Sequence, residues 1–99
     1  MAMAIRKSSG NVFRDVGFPP EEAAHLLIRA DLMIEVERLL KARGLTQVQA
    51  AKLLRITQPR VSDLVRGRVA LFTIDTLVEF LTRLGVSVTV RLKKARRVA

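Results

Sequence analysis

The chain has 99 residues, of which 49% are hydrophobic, and 18 lysines and arginines against nine acidic residues set its formal net charge at +9. That length makes one small domain burying roughly 60–65% of its unfolded surface, so a partner subunit would add to its stability, and the charge favours a polyanionic partner. The absence of cysteine excludes disulfides, thiolate metal sites and a thiol nucleophile, and one histidine with no tyrosine leaves little for acid–base chemistry. The chain is therefore read as a non-enzyme without metal or cofactor.

The opening MAMAIRKSSG carries two basic residues but no apolar signal core. No apolar run approaches the roughly 18 residues of a membrane span, so the expectation is a cytoplasmic protein with no membrane partner. Residues 1–18 read as an arm. Ser8 to Asn11 supply turn material, and Val12, Phe13 and Phe18 follow as apolar anchors. Pro19 and Pro20 then open a helix whose Glu21 and Glu22 suit the positive end of its dipole and are a cap, not a catalytic dyad. This helix is predicted to run to Arg43, with Leu32, Val36, Leu39 and Leu40 on a buried face and a break at Asp31. Arg38, Lys41 and Arg43 lie favourably at its C-terminal end. His25 sits among Ala24, Leu26 and Leu27 with no second histidine at metal spacing, and is read as a packed or surface residue.

Gly44 is a stop signal, and Thr46 with Gln49 three residues later forms a capping box for a second helix ending near Leu54. A third begins at Thr57 and stops at Gly67. Pro59 falls in its first turn, where a missing N–H costs nothing. Ala51, Leu54, Val61 and Leu64 are core positions, whereas Gln58, Arg60, Ser62 and Asp63 are expected to face outward. Two short helices joined by three or four residues have the spacing of a helix-turn-helix.

Arg68 to Phe72 reads as a linker. Thr73 caps a further helix through Leu84, with Ile74, Leu77, Val78 and Leu81 towards the core and Gly85 as its stop. Val86 to Lys93 alternates apolar and polar residues, the pattern of a strand with Val86, Val88, Val90 and Leu92 on one face. A lone strand must find a partner, so it is predicted to pair with its own copy across a two-fold axis, the N-terminal arm being the competing partner. The expected organisation is an arm (1–18), a helical domain (19–85), a dimerisation strand (86–93) and a basic tail (94–99). The fold class is mainly α, a four- to five-helix bundle with a central helix-turn-helix and a C-terminal strand.

Between Arg38 and Arg68 there are eight basic residues and one acidic residue, Asp63. Such a concentration around the motif points to nucleic acid. Gln47, at a helix N-terminus, suits a phosphate, and Thr57 is both cap and phosphate neighbour. Lys52, Arg55, Arg66 and Arg68 supply further cationic contacts, with Pro59 and Ser62 on the same helix. Gln58 and Arg60 are the candidate base readers, since glutamine pairs bidentately with adenine and arginine with guanine. Asp63 either accepts from cytosine or orients Arg60 or Arg66.

Thr46-Gln47, Ala51, Ile56-Thr57-Gln58, Val61-Ser62, Leu64 and Gly67 resemble the XRE (phage repressor/Cro-like) helix-turn-helix family. One departure is Arg55, at a turn position where that family usually has glycine. A left-handed backbone costs arginine on the order of 1 kcal/mol, so a slightly altered turn is expected, with Arg55 reaching a phosphate. Ser8 to Pro19, the long helix, the motif and the terminal alternating segment together look like the HigA kind of antitoxin. That resemblance implies a homodimeric repressor that binds a pseudo-palindromic operator in double-stranded DNA, regulates its own operon and neutralises a small mRNA-cleaving ribonuclease toxin. In that reading Val12, Phe13 and Phe18 form the toxin contact. The alternative readings are a stand-alone phage-type repressor whose arm completes its own core, and a non-specific nucleic-acid or scaffold protein.

Overall fold

The structure is a computed structural model and describes residues 11–94. Asn11 caps a one-turn helix, α1 (Val12–Asp15), its carboxamide oxygen accepting from the Phe13 and Arg14 N–H groups. The same side chain donates to the Ala23 carbonyl at 3.0 Å, tying α1 to the first turns of α2 (Pro20–Ala42). Phe13 and Phe18 meet edge to face, 6.1 Å between centroids. The part of the arm before Asn11, with the turn expected at Ser8 to Gly10, lies outside the described residues, as does the tail beyond Lys94.

Pro20 supplies a preset φ where no intrahelical N–H partner is needed, and Glu21 and Glu22 follow in the first turn. The helix continues through Asp31 for 23 residues without the expected break. Asp31 is half-buried beside the buried Leu32 and Met33, so the apolar stripe continues through it without a change of period. Leu32, Met33, Val36 and Leu40 from α2 pack with Leu77, Phe80, Leu81 and Leu84 of the last helix, α5 (Ile74–Arg83) and its C-cap. Between them lie α3 (Gln47–Leu54), α4 (Gln58–Val65) and a 3₁₀ turn (Val69–Leu71), contributing Ala50, Ala51, Leu54, Val61 and Leu64 to the same core. Phe72, expected in a linker, is among the most buried side chains and stacks edge to face on Phe80. Among the described residues no polar side chain is buried in this core.

Two arginines hold the layers by hydrogen bonds to helix ends. Arg83 donates to the Leu54 carbonyl at 2.9 Å, and Arg43 donates to the Leu84 carbonyl at 2.6 Å. Each cation meets the negative end of a helix that its own sequence neighbourhood does not contain.

The expected C-terminal strand is not formed: among the described residues there is no strand, and the bundle is entirely helical. The reason lies at Gly85. Its left-handed φ of 84° and the bond from Val86 N–H to the Leu81 carbonyl (2.9 Å) turn the chain back over α5. Val86 and Val88 then pack on the core as half-buried side chains. Their alternation records one covered face, not a ladder, and Val90 and Leu92 remain exposed. The assignment of Val86, Val88, Val90 and Leu92 to a dimer-spanning strand is therefore withdrawn.

Arg83 also lies 3.8 Å from Glu79 on the same helix, where the carboxylate is mostly exposed. A charged donor on a helix carbonyl is worth about 1.5 kcal/mol or more, whereas an exposed i,i+4 pair is worth about 0.3–0.5 kcal/mol. Urea unfolding should accordingly show Arg83→Ala destabilising the domain by at least about 1.5 kcal/mol and Glu79→Ala by less than about 0.5 kcal/mol.

Candidate nucleic-acid interface

α3 and α4 are each eight residues and are joined by Arg55, Ile56 and Thr57. The start of α3 is a complete capping box: Thr46 Oγ accepts from Gln49 N–H at 3.1 Å, and Gln49 Oε1 accepts from Thr46 N–H at 2.9 Å. This occupies Gln49 and leaves Gln47 exposed at the first helical position. Thr57 caps α4 by accepting from Arg60 N–H, and Pro59 stands in the first turn, as its missing donor requires. Thr57 is the cap, as expected, and Arg66 closes the helix just before Gly67 at φ 75°.

Arg55 takes a fully left-handed conformation, φ 61° and ψ 44°, and is the only non-glycine residue with positive φ among the described residues. The turn is not altered to accommodate the side chain. Ile56 N–H returns to the Ala51 carbonyl at 3.0 Å, and Ala51, Leu54, Val61 and Leu64 are buried between the helices. The strain is held by these contacts and by the Arg83 hydrogen bond to the Leu54 carbonyl.

The basic residues separate into two groups. Arg38 is paired with Glu35, which raises its pKa above the ordinary arginine value through that hydrogen bond, and Lys41 lies 3.7 Å from Glu37. Arg43 is bound to Leu84, and Arg68 lies 3.5 Å from Asp63. The residue Asp63 orients is thus Arg68, not Arg60 or Arg66. Arg60 is half-buried, its guanidinium 4.2 Å from the centroid of Phe72 and donating to the Leu71 carbonyl at 3.2 Å. The side chains of Lys52, Arg55 and Arg66 are exposed and make no hydrogen bond or ion pair among the described residues. They bracket the helix pair, one on α3, one at the joint and one at the end of α4. Gln47, Gln58 and Pro59 are exposed on the same unit, and Ser62 is half-exposed.

A family profile described as a helix-turn-helix domain matches residues 12–93. The chain belongs to the helix-turn-helix domain family. The match takes in α1 and the C-terminal segment as well as the motif, so the helix-turn-helix domain of this chain is nearly the whole of the described structure. Such a domain is a DNA-binding module, and α4 is the second helix of its motif, the position from which helix-turn-helix proteins read the major groove. No curated protein matches the chain. Among the described residues no helix is long and apolar enough to cross a membrane, and no group of three or more His, Cys, Asp or Glu residues could hold a metal ion.

Three contributors to this arrangement escape a reading of the sequence. Arg43 and Arg83 act on carbonyls 41 and 29 residues away, and no local pattern announces such partners. Arg60 directly precedes the core position Val61, but nothing local points to the Phe72 ring that receives it.

Arg55→Gly offers a test with opposite signs. Relief of the left-handed penalty, roughly 1–2 kcal/mol, exceeds the roughly 0.5–1 kcal/mol that glycine adds to the entropy of the unfolded chain. The variant should gain about 0.5 kcal/mol in stability. Loss of a phosphate contact should simultaneously weaken DNA binding and reduce the salt slope by about 0.9 per subunit. Denaturant unfolding and fluorescence anisotropy at several salt concentrations measure both; an unchanged slope would show that Arg55 does not touch the backbone.

Proposed function

We propose that this chain is a non-enzymatic, sequence-specific transcriptional repressor that acts as a homodimer on a pseudo-palindromic operator, and that it is the antitoxin of a toxin–antitoxin pair. The observation that carries the DNA reading is the face of the α3–α4 unit. It gathers the unpaired cations Lys52, Arg55 and Arg66 around the exposed amides Gln47 and Gln58, while the other basic residues of the region have protein partners. Cations that bind phosphates fix register on a duplex, and exposed amides on the same helix pair can then read base edges, which is readout and not mere attraction.

The antitoxin part is supported by the resemblance of the chain to the HigA kind of antitoxin. It is also supported by the exposure of Val12 (56%), Val16 (68%) and Phe18 (39%), an apolar surface at the end of the molecule that α1 closes. The stand-alone repressor reading draws on a different observation. α1 is folded back on α2 through Asn11, and half-buried Phe13 is paired with Phe18, so the arm already completes a core of its own.

If two recognition helices enter successive major grooves 34–36 Å apart and make roughly 6–10 phosphate contacts, log affinity should fall against log salt with a slope of about −5 to −9. A slope near −2 on the preferred duplex would be incompatible with a dimer docked in this way. Val12→Asp separates the two biological readings. The exposed side chain lies in the first turn of a helix, where a carboxylate is tolerated, so thermal stability and operator affinity should stay near wild type. In cells that co-express the product of the adjacent gene, an antitoxin bearing this change should fail to protect growth and to capture that product in a pull-down. Full protection by the variant, or no toxic neighbour, would favour the stand-alone repressor.

A further inference from the structure

The recognition helix carries one long cation that does not point away from the protein. At about 100° per residue, with Val61 and Leu64 marking the buried pole, Pro59 and Arg66 lie roughly 170° from that pole and Ser62 roughly 130°. Arg60 lies roughly 70° from it, the same angle as half-buried Val65 on the other flank. The side chain follows that geometry. Its guanidinium covers the ring of Phe72, which is 1% exposed, and donates to the carbonyl of Leu71, the last residue of the 3₁₀ turn. Both partners belong to the connection between α4 and α5, so a single side chain ties the N-terminal turn of α4 to the core aromatic pair Phe72 and Phe80. The base-facing quadrant is left to shorter residues. Gln58 is exposed at the first position of α4, and Ser62 follows one turn later on the same stripe.

We infer that Arg60 is a positioning residue, which sets the angle of the recognition helix through Phe72 and Leu71, and that base discrimination by α4 rests on Gln58 and Ser62. The inference rests on the reading of α3 and α4 as the DNA-contacting unit. An arginine laid over an aromatic ring, with one N–H donated to the Leu71 carbonyl, is held away from the outer face of α4, where a fork would meet guanine or a cation a phosphate. It fixes instead how deeply the N-terminal turn of α4, with Gln58, enters the groove. Such a residue has no base of its own, so its loss acts through the preferences that Gln58 and Ser62 set.

The experiment uses the full chain and begins by selecting a preferred duplex from a random pool with the wild type. Affinity for that duplex and for random DNA, preference at each base pair and the salt slope are then measured for Arg60→Ala, Arg60→Lys, Gln58→Ala and Ser62→Ala. Measurements are made at a temperature where circular dichroism shows each variant fully folded. Arg60→Ala should weaken the preferred duplex about three- to tenfold, with the salt slope unchanged and any loss of preference confined to the base pairs that Gln58→Ala and Ser62→Ala flatten. Arg60→Lys, whose ammonium still sits over the ring, should recover most of that loss and keep the wild-type preferences. Gln58→Ala and Ser62→Ala should each flatten the preference at one or two base pairs of a half-site.

Flattening by Arg60→Ala or Arg60→Lys at a base pair that neither Gln58→Ala nor Ser62→Ala affects would make Arg60 a base reader and overturn the inference. A salt slope reduced by about one would overturn it in favour of a phosphate contact. Unchanged affinity of folded Arg60→Ala would reduce Arg60 to a stabilising residue, and unchanged preferences in both Gln58→Ala and Ser62→Ala would refute the second half. If Arg60→Ala does not fold, Arg60→Lys decides, because a guanine reader loses its fork on that change and a positioning cation keeps its function. A wild type that selects no sequence overturns the reading of the interface itself, a result distinct from every outcome that concerns Arg60.

Discussion

The orientation of the recognition helix depends on what happens at Leu54 and Arg55. Leu54 is fully buried, its carbonyl is held by Arg83 from α5, and the next residue must turn left-handed for α4 to leave at the angle the core accepts. A residue other than glycine makes that turn at a cost of order 1 kcal/mol, which is small beside the burial of Leu54, Val61 and Leu64, each worth about 1.5–3 kcal/mol. Packing therefore decides the backbone, and the side chain at the joint is free to be chosen for what it touches outside. An arginine there carries a cation to the outer side of the joint, where glycine would leave only backbone.

The same economy governs the other cations. A surface with net charge +9 attracts any polyanion, but a diffuse field does not set a register on DNA. In this molecule the arginines and lysines near the motif are divided by their internal partners. Glu35, Glu37 and Asp63, together with the Leu71 and Leu84 carbonyls and the Phe72 ring, engage five of them, and Lys52, Arg55 and Arg66 are left to the solvent side. Shape is thereby given to the field: the bound cations stiffen the bundle, and the unbound ones stay exposed on the helix-turn-helix.

Much of this was legible in the residues themselves. Thr46, Gln49, Thr57 and Thr73 announce their caps by type and spacing, because a hydroxyl that satisfies an orphan N–H works through neighbours three residues away. The core positions of the motif follow from the helical period in the same way. What was not legible depends on tertiary partners. Arg83 and Leu54, or Arg43 and Leu84, meet only once the bundle has closed, and Phe72 becomes a core residue only because the 3₁₀ turn before it swings the ring inward. Arg60 is an intermediate case: its flank position was computable, but the ring that receives it was assigned to a linker.

The C-terminal segment shows why a period of two is ambiguous. Alternation requires only that every second side chain be covered, and a helical bundle can cover it as well as a sheet can. Val86 and Val88 lie on the core that α2 and α5 build, while Ser87 and Thr89 face water, so the hydrophobic pattern is satisfied with no second strand. The pattern is spent within four residues. Val90 and Leu92 continue it in sequence but are 76% and 87% exposed, beyond the reach of the bundle surface that covers their predecessors. A segment whose early apolar residues are covered by its own chain presents no continuous row of three valines and a leucine to a partner. The forces that close this domain therefore act through its helices, and the segment after Gly85 adds to them by covering the core at Val86 and Val88.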